Sequence, residues 1–510
     1  MILALIPIAV ILVLMIGFRW GAARAGGAGY LSALVIAILF FGAGSELLAY
    51  AHVRALFLSL DVLLIIWAAF LLYRVVDEAG AIQTIGQALP HLTTDKGMQA
   101  LIIGWVFASF LQGVGGFGVP VAVVAPILVG LGFPALAAVI IPSIGHGWAV
   151  TFGSLGSSFQ ALLSSTGQPE SLLGPPAALF LGISALAIGL MVAHAAGGWA
   201  AVKRLLIPAL LLGLIMAFVQ YIVVGLGFWF IASFIGSTVA LAASFPLARY
   251  YKGKDGNNGK RPTQKALLVA LSGYAILIVI TLFVQVIPPV RDWLGQVILR
   301  VQFPEVSTSL GFITAASSSR SIPIFRHAGA SLTYTSILAY FVYKANGCYR
   351  PGSVRRILSG MIKRVMGSSV SIVSMIAMAV IMENAGMTDT LARGLAGGVG
   401  SLFPIVAPWI GSIGAFMTGS NTNSNVVFGA LQMRTAQLLG LSVPIVLAAQ
   451  TAGAALASVS APAKVVVGAS TAGMAGKEGD VMRKLAAYTL LLVLLISLLA
   501  FLAVWLGGRS

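Results

Sequence analysis

The sequence predicts an all-α, polytopic membrane protein of about 12–14 membrane segments. Of its 510 residues, 59% are hydrophobic and 8% are charged, whereas about a quarter of the residues in an ordinary soluble protein are charged. Two further observations shape the prediction. The apolar residues form runs of membrane length, and two glycine-rich or polar segments interrupt these runs at corresponding points of a duplicated pattern.

The apolar runs predict how the chain is divided into membrane helices and loops. A helix needs about 20 apolar residues to cross about 30 Å of hydrocarbon. The first run lacks the charged start of a secretory signal peptide, so we interpret it as a membrane helix. We predict an N-terminal membrane half over 1–248, a basic cytoplasmic loop over 249–265 and a C-terminal membrane half over 266–510. The runs are 2–18, 27–44, 55–73, 98–111, 133–153, 172–193, 205–225, 226–248, 265–288, 329–343, 365–385, 400–417, 441–460 and 485–507.

The basic residues set the predicted orientation. The formal net charge is +17, a value that points to nucleic acid in a soluble protein. Here Lys and Arg gather between apolar runs, at 194–204, 249–265 and 344–364. This is the positive-inside pattern of cytoplasmic loops. We therefore predict the lipid bilayer and not nucleic acid as a partner, and an N-terminus on the outer side.

Two segments between the apolar runs are too polar or too rich in glycine to be plain membrane helices. The first lies near 112–120 and the second near 418–425. Each is followed by a Gly-Leu-x-x-Pro pattern, at 130–134 and at 440–444. This repetition indicates a duplicated module. Discontinuous helices at corresponding points of two halves are typical of a transporter's binding site.

The first broken segment offers main-chain groups to a ligand. Irregular backbone within a bilayer must be satisfied by protein or by a polar cavity, so the break marks a cavity. Glycine permits positive φ and close approach, and Pro120 suits the start of the resumed helix. The N–H groups at such a start favour a carboxylate. The candidate substrate-binding residues are Gln112, Gly113, Gly115, Gly116 and Gly118.

The second broken segment offers side chains. Seven of its eight positions are small, uncharged polar residues. Contact with lipid would be unfavourable for them, so we expect them to face one another, water or a solute. The candidate substrate-binding residues are Thr418, Ser420, Asn421, Thr422, Asn423, Ser424 and Asn425, of which Ser420, Asn421 and Thr422 are also candidates to hold sodium.

At these residues the sequence resembles the lactate permease family, which includes lactate and glycolate carriers. The resemblance is strongest over 98–157 and 410–485, in motifs such as Gly115-Gly116-Phe117-Gly118-Val119-Pro120 and Gly476-Lys477-Glu478-Gly479-Asp480. It implies proton-linked uptake of L-lactate or a related 2-hydroxy monocarboxylate at a prokaryotic inner membrane. Ser420-Asn421-Thr422 also resembles the signature of the wider ion-transporter superfamily. That similarity implies inverted repeats, two re-entrant hairpins, a homodimer and elevator motion.

Two departures from the family pattern concern charged residues. The family usually carries a glutamate where this chain has Gln112, so the most obvious proton-binding carboxylate is missing. A lysine that the family often carries is absent from 457–462, and Lys464 is a candidate to replace it as the cationic partner of the substrate.

Four more residues are candidates for coupling or for carboxylate binding. An uncompensated charge at the bilayer centre costs at least about 2.5–3.5 kcal/mol, so an ionisable residue there suggests a function. Asp61 either relays a proton or pairs with an arginine. His146, between two glycines, either titrates near neutral pH or is a hydrogen-bonded structural residue. Arg320 and Lys464 either bind a carboxylate or extend to the headgroups.

The sequence favours a secondary carrier over an enzyme. It contains five histidines and 13 acidic residues, but no His-Glu-x-x-His metal motif and no Gly-x-x-x-x-Gly-Lys-Ser/Thr loop for ATP. We predict no cofactor, no certain metal site, and coupling to a proton or sodium. An anion channel lined by the same broken helices and a carrier of a different carboxylate are the alternatives.

Overall fold

The computed structural model describes residues 1–116, 118–251, 262–319 and 321–507. The first half of the chain forms α1 (Ile2–Ile16), α2 (Ala22–Phe40), α3 (Ser45–Glu78), α4 (Ala81–Ala88), α5 (Lys96–Gln99), α6 (Ala108–Val114), α7 (Val119–Gly130), α8 (Ala135–Gly145), α9 (Ser157–Thr166), α10 (Glu170–Gly225) and α11 (Ala232–Tyr250). A π-helical stretch, Ala100–Phe107, joins α5 to α6, and short 3-10 turns occupy Leu89–His91, Gly147–Ala149, Ser154–Gly156 and Trp229–Ile231.

The second half of the chain contains helices and a small β-ribbon. Its helices are α12 (Gln264–Val286), α13 (Pro288–Leu294), α14 (Ala328–Ala345), α15 (Ser353–Asn384), α16 (Met387–Val399), α17 (Phe403–Thr418), α18 (Asn421–Leu438), α19 (Val443–Ser458), α20 (Pro462–Thr471) and α21 (Glu478–Leu506), with a 3-10 turn at Gly400–Leu402. Its strands are β1 (Ile298–Leu299), β2 (Gln302–Phe303), β3 (Val306–Ser307), β4 (Ile313–Thr314), β5 (Ser317–Ser318) and β6 (Ile322–Pro323).

The described residues include ten helices that are long and apolar enough to cross a membrane, or up to eleven if the bent pair Ala135–Ala149 and Ser154–Thr166 is one span. Helix α10 has 56 residues, with non-helical φ and ψ at Gly197 and Gly198. It therefore consists of two helices of membrane length. The prediction of an all-α, polytopic membrane protein is confirmed. With α10 counted as two, the described residues contain eleven or twelve spans, at or just below the lower end of the predicted 12–14.

Two stretches of the fold repeat the same order of elements. Each begins with a long helix (α3 or α15) and a short helix (α4 or α16), continues with a helical hairpin, and ends with a helix that is interrupted in its middle. Glycines with positive φ end corresponding helices, because a helix often stops at a left-handed residue and glycine adopts that conformation without strain. The corresponding glycines are Gly80 and Gly386, Gly116 and Gly419, Gly132 and Gly440, and Gly167 and Gly473.

The two stretches run in opposite directions. Arg54, in the first part of α3, bonds to Glu383 near the end of α15, with 3.3 Å between Nη2 and Oε1. At the other end, Nε of Arg356 in the first turn of α15 lies 2.6 Å from Oε1 of Glu78, the last residue of α3. Corresponding helices are therefore antiparallel neighbours, as inverted repeats require.

The two hairpins enter from opposite sides of the molecule. Asp95 lies at the base of the first hairpin, on the side where α3 ends beside Arg356. It forms an ion pair with Arg204. Asp389, which follows the opposite end of α15, pairs with Arg434 of the second hairpin at 2.6 Å. The side that carries Arg204 and Arg356 holds the described parts of the basic segments, whereas 252–261 of the predicted basic loop lie outside the described residues. We call it the inner side, following the positive-inside rule.

Helices α17 and α19 pack backbone to backbone. A Cβ atom on Gly453 would lie 2.2 Å from the carbonyl oxygen of Pro408, and one on Gly411 would lie 2.2 Å from that of Gln450. Small residues permit such close approach between membrane helices. This packing places Thr451, in the middle of α19, beside the start of α18.

The strands form one long, interrupted hairpin between α13 and α14. β1 pairs with β6, β2 with β5 and β3 with β4, all antiparallel. Near the tip, the amide of Ser309 donates to the carbonyl of Gly42 at 2.9 Å. The hydroxyl of Thr314 donates to the carbonyl of Asn384 at 3.1 Å. The ribbon therefore lies on the outer side, across the ends of α2 and α15.

Candidate substrate site at the two helix breaks

The first break is shorter than the sequence predicted. The helix continues through Gln112 and Gly113 to Val114, and α7 begins at Val119, so the break covers 115–118, which we call the first tip. Phe117 lies outside the described residues. Gln112 and Gly113 remain helical because their amides keep their helical partners. A Cβ on Gly113 would lie 2.7 Å from the Cα of Phe234, so this glycine permits close packing against α11.

The glycines of the first tip differ in their surroundings. Gly116 has φ +55°, and a Cβ there would lie 1.7 Å from the hydroxyl oxygen of Ser154. Gly118 has φ +87°, and a Cβ there would meet nothing within 4 Å. Gly115 has a negative φ of −100°, and a Cβ there would lie 3.1 Å from the ring of Tyr73. The first tip therefore lies directly on Ser154, and glycine is required at Gly116 by both conformation and space.

Gln112 also faces Ser154. The side chain of Gln112 is 2% exposed, and its Nε2 donates to the Oγ of Ser154 at 3.4 Å. Its Oε1 has no hydrogen-bond partner among the described residues. Because a buried acceptor without a partner is unfavourable, this oxygen is a candidate to bind a donor from a substrate or from water.

The second break is also shorter than predicted. Only Gly419 and Ser420, the second tip, separate α17 from α18, so Asn421 to Asn425 are helical where the sequence predicted a broken segment. The reason is local: Gly419 ends α17 with φ +68°, and Ser420 caps α18 by accepting from the amide of Asn423 at 3.2 Å. Both residue types are preferred at these positions. The amides of Asn423 and Ser424 thus bond to Ser420, and the side chains of the polar run can bond to other elements.

Those side chains meet in a buried cluster. The amide nitrogen Nδ2 of Asn421 donates to the hydroxyl of Thr151 at 3.0 Å, and Nδ2 of Asn425 donates to the hydroxyl of Thr451 at 2.9 Å. The two threonine hydroxyls lie 3.2 Å apart. We call these four residues the polar seam. Both amide oxygens of its asparagines are buried and have no hydrogen-bond partner among the described residues.

The polar seam and the first tip share one linker. Thr151 and Ser154 both lie in the irregular stretch between α8 and α9. Ser154 contacts Gly116 of the first tip, and Thr151 contacts Asn421 at the second. The structure therefore brings the two broken segments to the same place, although they are about 300 residues apart in sequence.

The remaining polar residues of the second hairpin bind its surroundings. Thr422 exchanges a hydrogen bond with Ser158 of α9 at 3.1 Å. Asn423 donates to the hydroxyl of Ser371 in α15 at 3.1 Å. The other two bond within the hairpin: Ser424 donates to Gly411 at 2.7 Å, and Thr418 donates to Gly414 at 2.8 Å. Of the three residues predicted to hold sodium, Ser420 and Thr422 already form hydrogen bonds. The amide oxygen of Asn421 has no hydrogen-bond partner among the described residues.

An open cavity of about 380 Å³ reaches the second tip, and we call it the inner cavity. Its wall includes Arg364 of α15, a residue that sequence analysis did not single out. Arg364 lies over the ring of Phe70, with 5.9 Å from Cζ to the ring centroid. The sequence placed Arg364 at the end of a polar loop, but α15 begins at Ser353 and carries it to the level of the tip. The cavity is lined by Gly21, Ala22, Ala23, Arg364, Gly367, Ser368, Ser371, Ile372, Thr418, Gly419, Ser420, Thr422 and Asn423.

His146 and Lys464 lie near the interruptions of α8–α9 and α19–α20. His146 is fully buried, and its Nδ1 bonds to the carbonyl of Pro142 at 2.6 Å, as a structural histidine would. Its Nε2 has no hydrogen-bond partner among the described residues. Lys464, in the first turn of α20, donates to the hydroxyl of Ser458 at 3.0 Å. Neither residue lines the inner cavity, and Arg320 lies outside the described residues.

Asp61 lies on the opposite side of α9 from the polar seam. It is 3% exposed and lines a second open cavity of about 470 Å³, the outer cavity. His327, which the sequence did not indicate, lies 3.2 Å from it. The alternatives weighed for Asp61 were a proton relay and a pair with an arginine. His327 is one ionisable partner of Asp61, and both alternatives stay predictions.

Comparison with known proteins identifies the family. A family model for L-lactate permease matches residues 1–507. The glycolate permease GlcA of Escherichia coli (strain K12) is 26% identical over 542 residues, covering 98% of this chain and 94% of the relative. The L-lactate permease of Bacillus subtilis (strain 168) is 26% identical over 544 residues, covering 96% of this chain and 94% of the relative.

A solved structure supports the fold. The transporter YdaH of Alcanivorax borkumensis matches with a TM-score of 0.52 at 13% identity, covering 91% of this chain and 88% of that chain. The sequence relatives are named permeases, so the prediction of a transporter instead of an enzyme is confirmed. Because the family model matches nearly the whole sequence, this multi-pass membrane protein belongs to the L-lactate permease family.

Proposed function

We propose that the protein carries a small 2-hydroxy monocarboxylate, L-lactate or glycolate, across a prokaryotic inner membrane by cation symport. The observation that carries the proposal is the inner cavity, which is lined by Arg364 and by the hydroxyl and amide groups at the second tip. A 2-hydroxy acid presents the complementary groups, a carboxylate next to a hydroxyl. The names of the relatives, glycolate permease and L-lactate permease, point to the same class of substrate.

In this proposal Arg364 binds the carboxylate and the second tip binds the hydroxyl. A guanidinium group presents its donors in a plane that matches a carboxylate, and hydrogen bonds between charged groups are the stronger ones. Ser420, Thr422 and Asn423 line the same cavity, and their hydroxyl and amide groups would bind the substrate by exchanging their present hydrogen bonds. The positive end of α18, which starts at Asn421, adds to the attraction for an anion.

Transport then requires that the polar seam opens to the other side. The seam is buried, and its side chains bond to one another. A carrier that alternates between two states must break and remake such contacts as its hairpins move. Elevator motion within a homodimer, which the resemblance implies, is part of this proposal.

Uptake into proteoliposomes tests the function. Purified protein should take up labelled L-lactate and glycolate with saturable kinetics, and internal unlabelled substrate should accelerate entry by counterflow. Conductance that never saturates would overturn the carrier and favour an anion channel. Saturable uptake of a dicarboxylate in preference to both acids would assign a different substrate.

Separate gradients identify the coupling cation. An inward proton gradient should drive accumulation of lactate above its external concentration in sodium-free buffer. Accumulation that needs a sodium gradient would instead support a sodium ion near the unpartnered amide oxygens of Asn421 and Asn425.

A further inference from the structure

We propose that Asp61 and His327 form the proton-binding site of this carrier, filled from the outer cavity, and that the proton releases α9 from α3. This inference rests on the proposed function and assigns its coupling to residues outside the substrate cavity. It also explains how the chain can use protons although glutamine occupies position 112.

The hydrogen bonds fix the charge state of the pair. The Nδ1 atom of His327 accepts from the amide of Gly329 at 3.2 Å, where it caps α14. The ring hydrogen of a neutral imidazole is therefore on Nε2, which donates to Oδ1 of Asp61 at 3.2 Å. A neutral histidine beside an ionised carboxylate is the form that this geometry satisfies.

Helix α9 binds the other carboxylate oxygen. The Oδ2 atom of Asp61 accepts from Nε2 of Gln160 at 2.5 Å and from the hydroxyl of Ser164 at 2.6 Å. Both donors lie on α9, one turn apart, and both are buried. Because the acceptor is charged, these are strong hydrogen bonds. The ionised carboxylate therefore holds α9 against α3.

The same helix is bonded to the second hairpin. The hydroxyl of Ser165 donates to the carbonyl of Asn425 at 3.2 Å, and Nδ2 of Asn425 donates to the carbonyl of Ser158 at 2.9 Å. Helix α9 therefore connects Asp61 on one face to the polar seam on the other. A change in the bonds of Asp61 acts on the helix that positions the substrate site.

The outer cavity provides the route for the proton. It contains Asp61 and His327 and opens to solvent at the outer side. The other described charged groups that line it are Glu170 at the start of α10, Arg291 of α13 and Arg326. Helix α9 presents only uncharged Gln160 to the cavity.

Protonation changes the number and strength of these bonds. One proton from outside water is added to Oδ2 of Asp61, and the net charge of the pair changes from −1 to zero. The new O–H must donate, so the hydroxyl of Ser164 turns from donor to acceptor, and the bond from Gln160 loses its charged acceptor. The link between α3 and α9 is weakened, whereas the bonds from α9 to α18 are unaffected. Release of the proton on the inner side restores the link.

The variant Asp61→Asn tests the proposal. In proteoliposomes it should retain lactate counterflow within about threefold, because asparagine resembles the protonated state, and it should lose proton-driven accumulation at least tenfold. The control is Glu46→Gln, an exposed carboxylate on the same helix, which should accumulate lactate as the wild type does. Accumulation by Asp61→Asn equal to that of the wild type would overturn the proposal.

Two measurements keep the test decisive if Asp61→Asn loses all transport. Ser164→Ala removes one donor to the ionised carboxylate, so the midpoint of uptake against external pH should move up by about one unit; an unchanged midpoint would refute the pair. On acidification, the infrared carbonyl band of protonated acids should grow more in the wild type than in Asp61→Asn, because the variant lacks one of the 13 acidic residues. The spectra need no substrate, so they test the pair even if the wild type fails to transport lactate. Equal bands in both proteins would refute the pair.

Discussion

Replacement of Arg364 by glutamine removes the cation of the inner cavity while keeping a side chain of similar length. A hydrogen bond to a charged group contributes about 1.5–3 kcal/mol, and each 1.4 kcal/mol is about a tenfold change in affinity. The concentration of L-lactate for half-maximal counterflow should therefore rise by about 10- to 150-fold. Arg364→Lys should recover only part of the loss, because an ammonium group cannot make the paired contact of a guanidinium.

The assay separates charge from shape by using lactamide, the neutral amide of lactate, as a competitor. Wild-type protein should prefer lactate strongly, and Arg364→Gln should bind the two compounds about equally. Lys363→Gln is the matched control, because Lys363 is the adjacent exposed cation and does not line the cavity. An unchanged half-maximal concentration in Arg364→Gln, or an equal loss in the control, would refute the assignment of Arg364 to the carboxylate.

Three further predictions concern the breaks and the orientation. Asn421→Leu should abolish transport at normal expression, because leucine cannot bond to Thr151; unchanged uptake would remove this residue from the site. Gly116→Ala should reduce transport at least tenfold and lower the free energy of unfolding by about 1–3 kcal/mol. The reason is that alanine would have to adopt a positive φ and would clash with Ser154. A melting curve equal to that of the wild type would contradict this prediction. Cys348, the single cysteine, lies in the inner loop after α14, and burial raises its thiol pKa. It should react with maleimide only through a permeant reagent in right-side-out vesicles and faster as pH rises, because only the thiolate reacts; labelling by an impermeant reagent from outside would reverse the orientation.

The sequence was sufficient to predict the class of fold and both breaks, because these depend on local chemistry. The scarcity of charge requires a bilayer, and glycine next to capping residues marks the ends of helices. The extent of each break could not be predicted in the same way. Asn421 to Asn425 have a composition typical of a loop, yet one cap by Ser420 is enough to start a helix at Asn421.

The partners within the site were harder to predict than the breaks. Thr151 and Thr451 are single hydroxyl-bearing residues within apolar runs, so no pattern in the neighbouring sequence marks them as site residues. They are 300 residues apart in sequence and come into contact only in the folded protein. His327 is 266 residues from Asp61 and becomes its partner only because α14 starts beside the middle of α3. The division of the chain at 249–265 stays a prediction, since the repeated elements begin at α3 and α15 instead of at the ends of the two halves.

The positions of the two cavities favour a carrier over a channel. The inner cavity ends at the second tip, and the outer cavity ends at Asp61 and Gln160. Between them lie α9 and the polar seam, whose buried side chains bond to one another and fill the space. A pore could conduct only if this seam stayed hydrated and open, whereas a carrier needs it closed on one side at a time. Helix α9 bonds to the carboxylate on one face and to the hairpin on the other. In the proposed mechanism, a proton and a substrate that bind at separate places would therefore shift the same element.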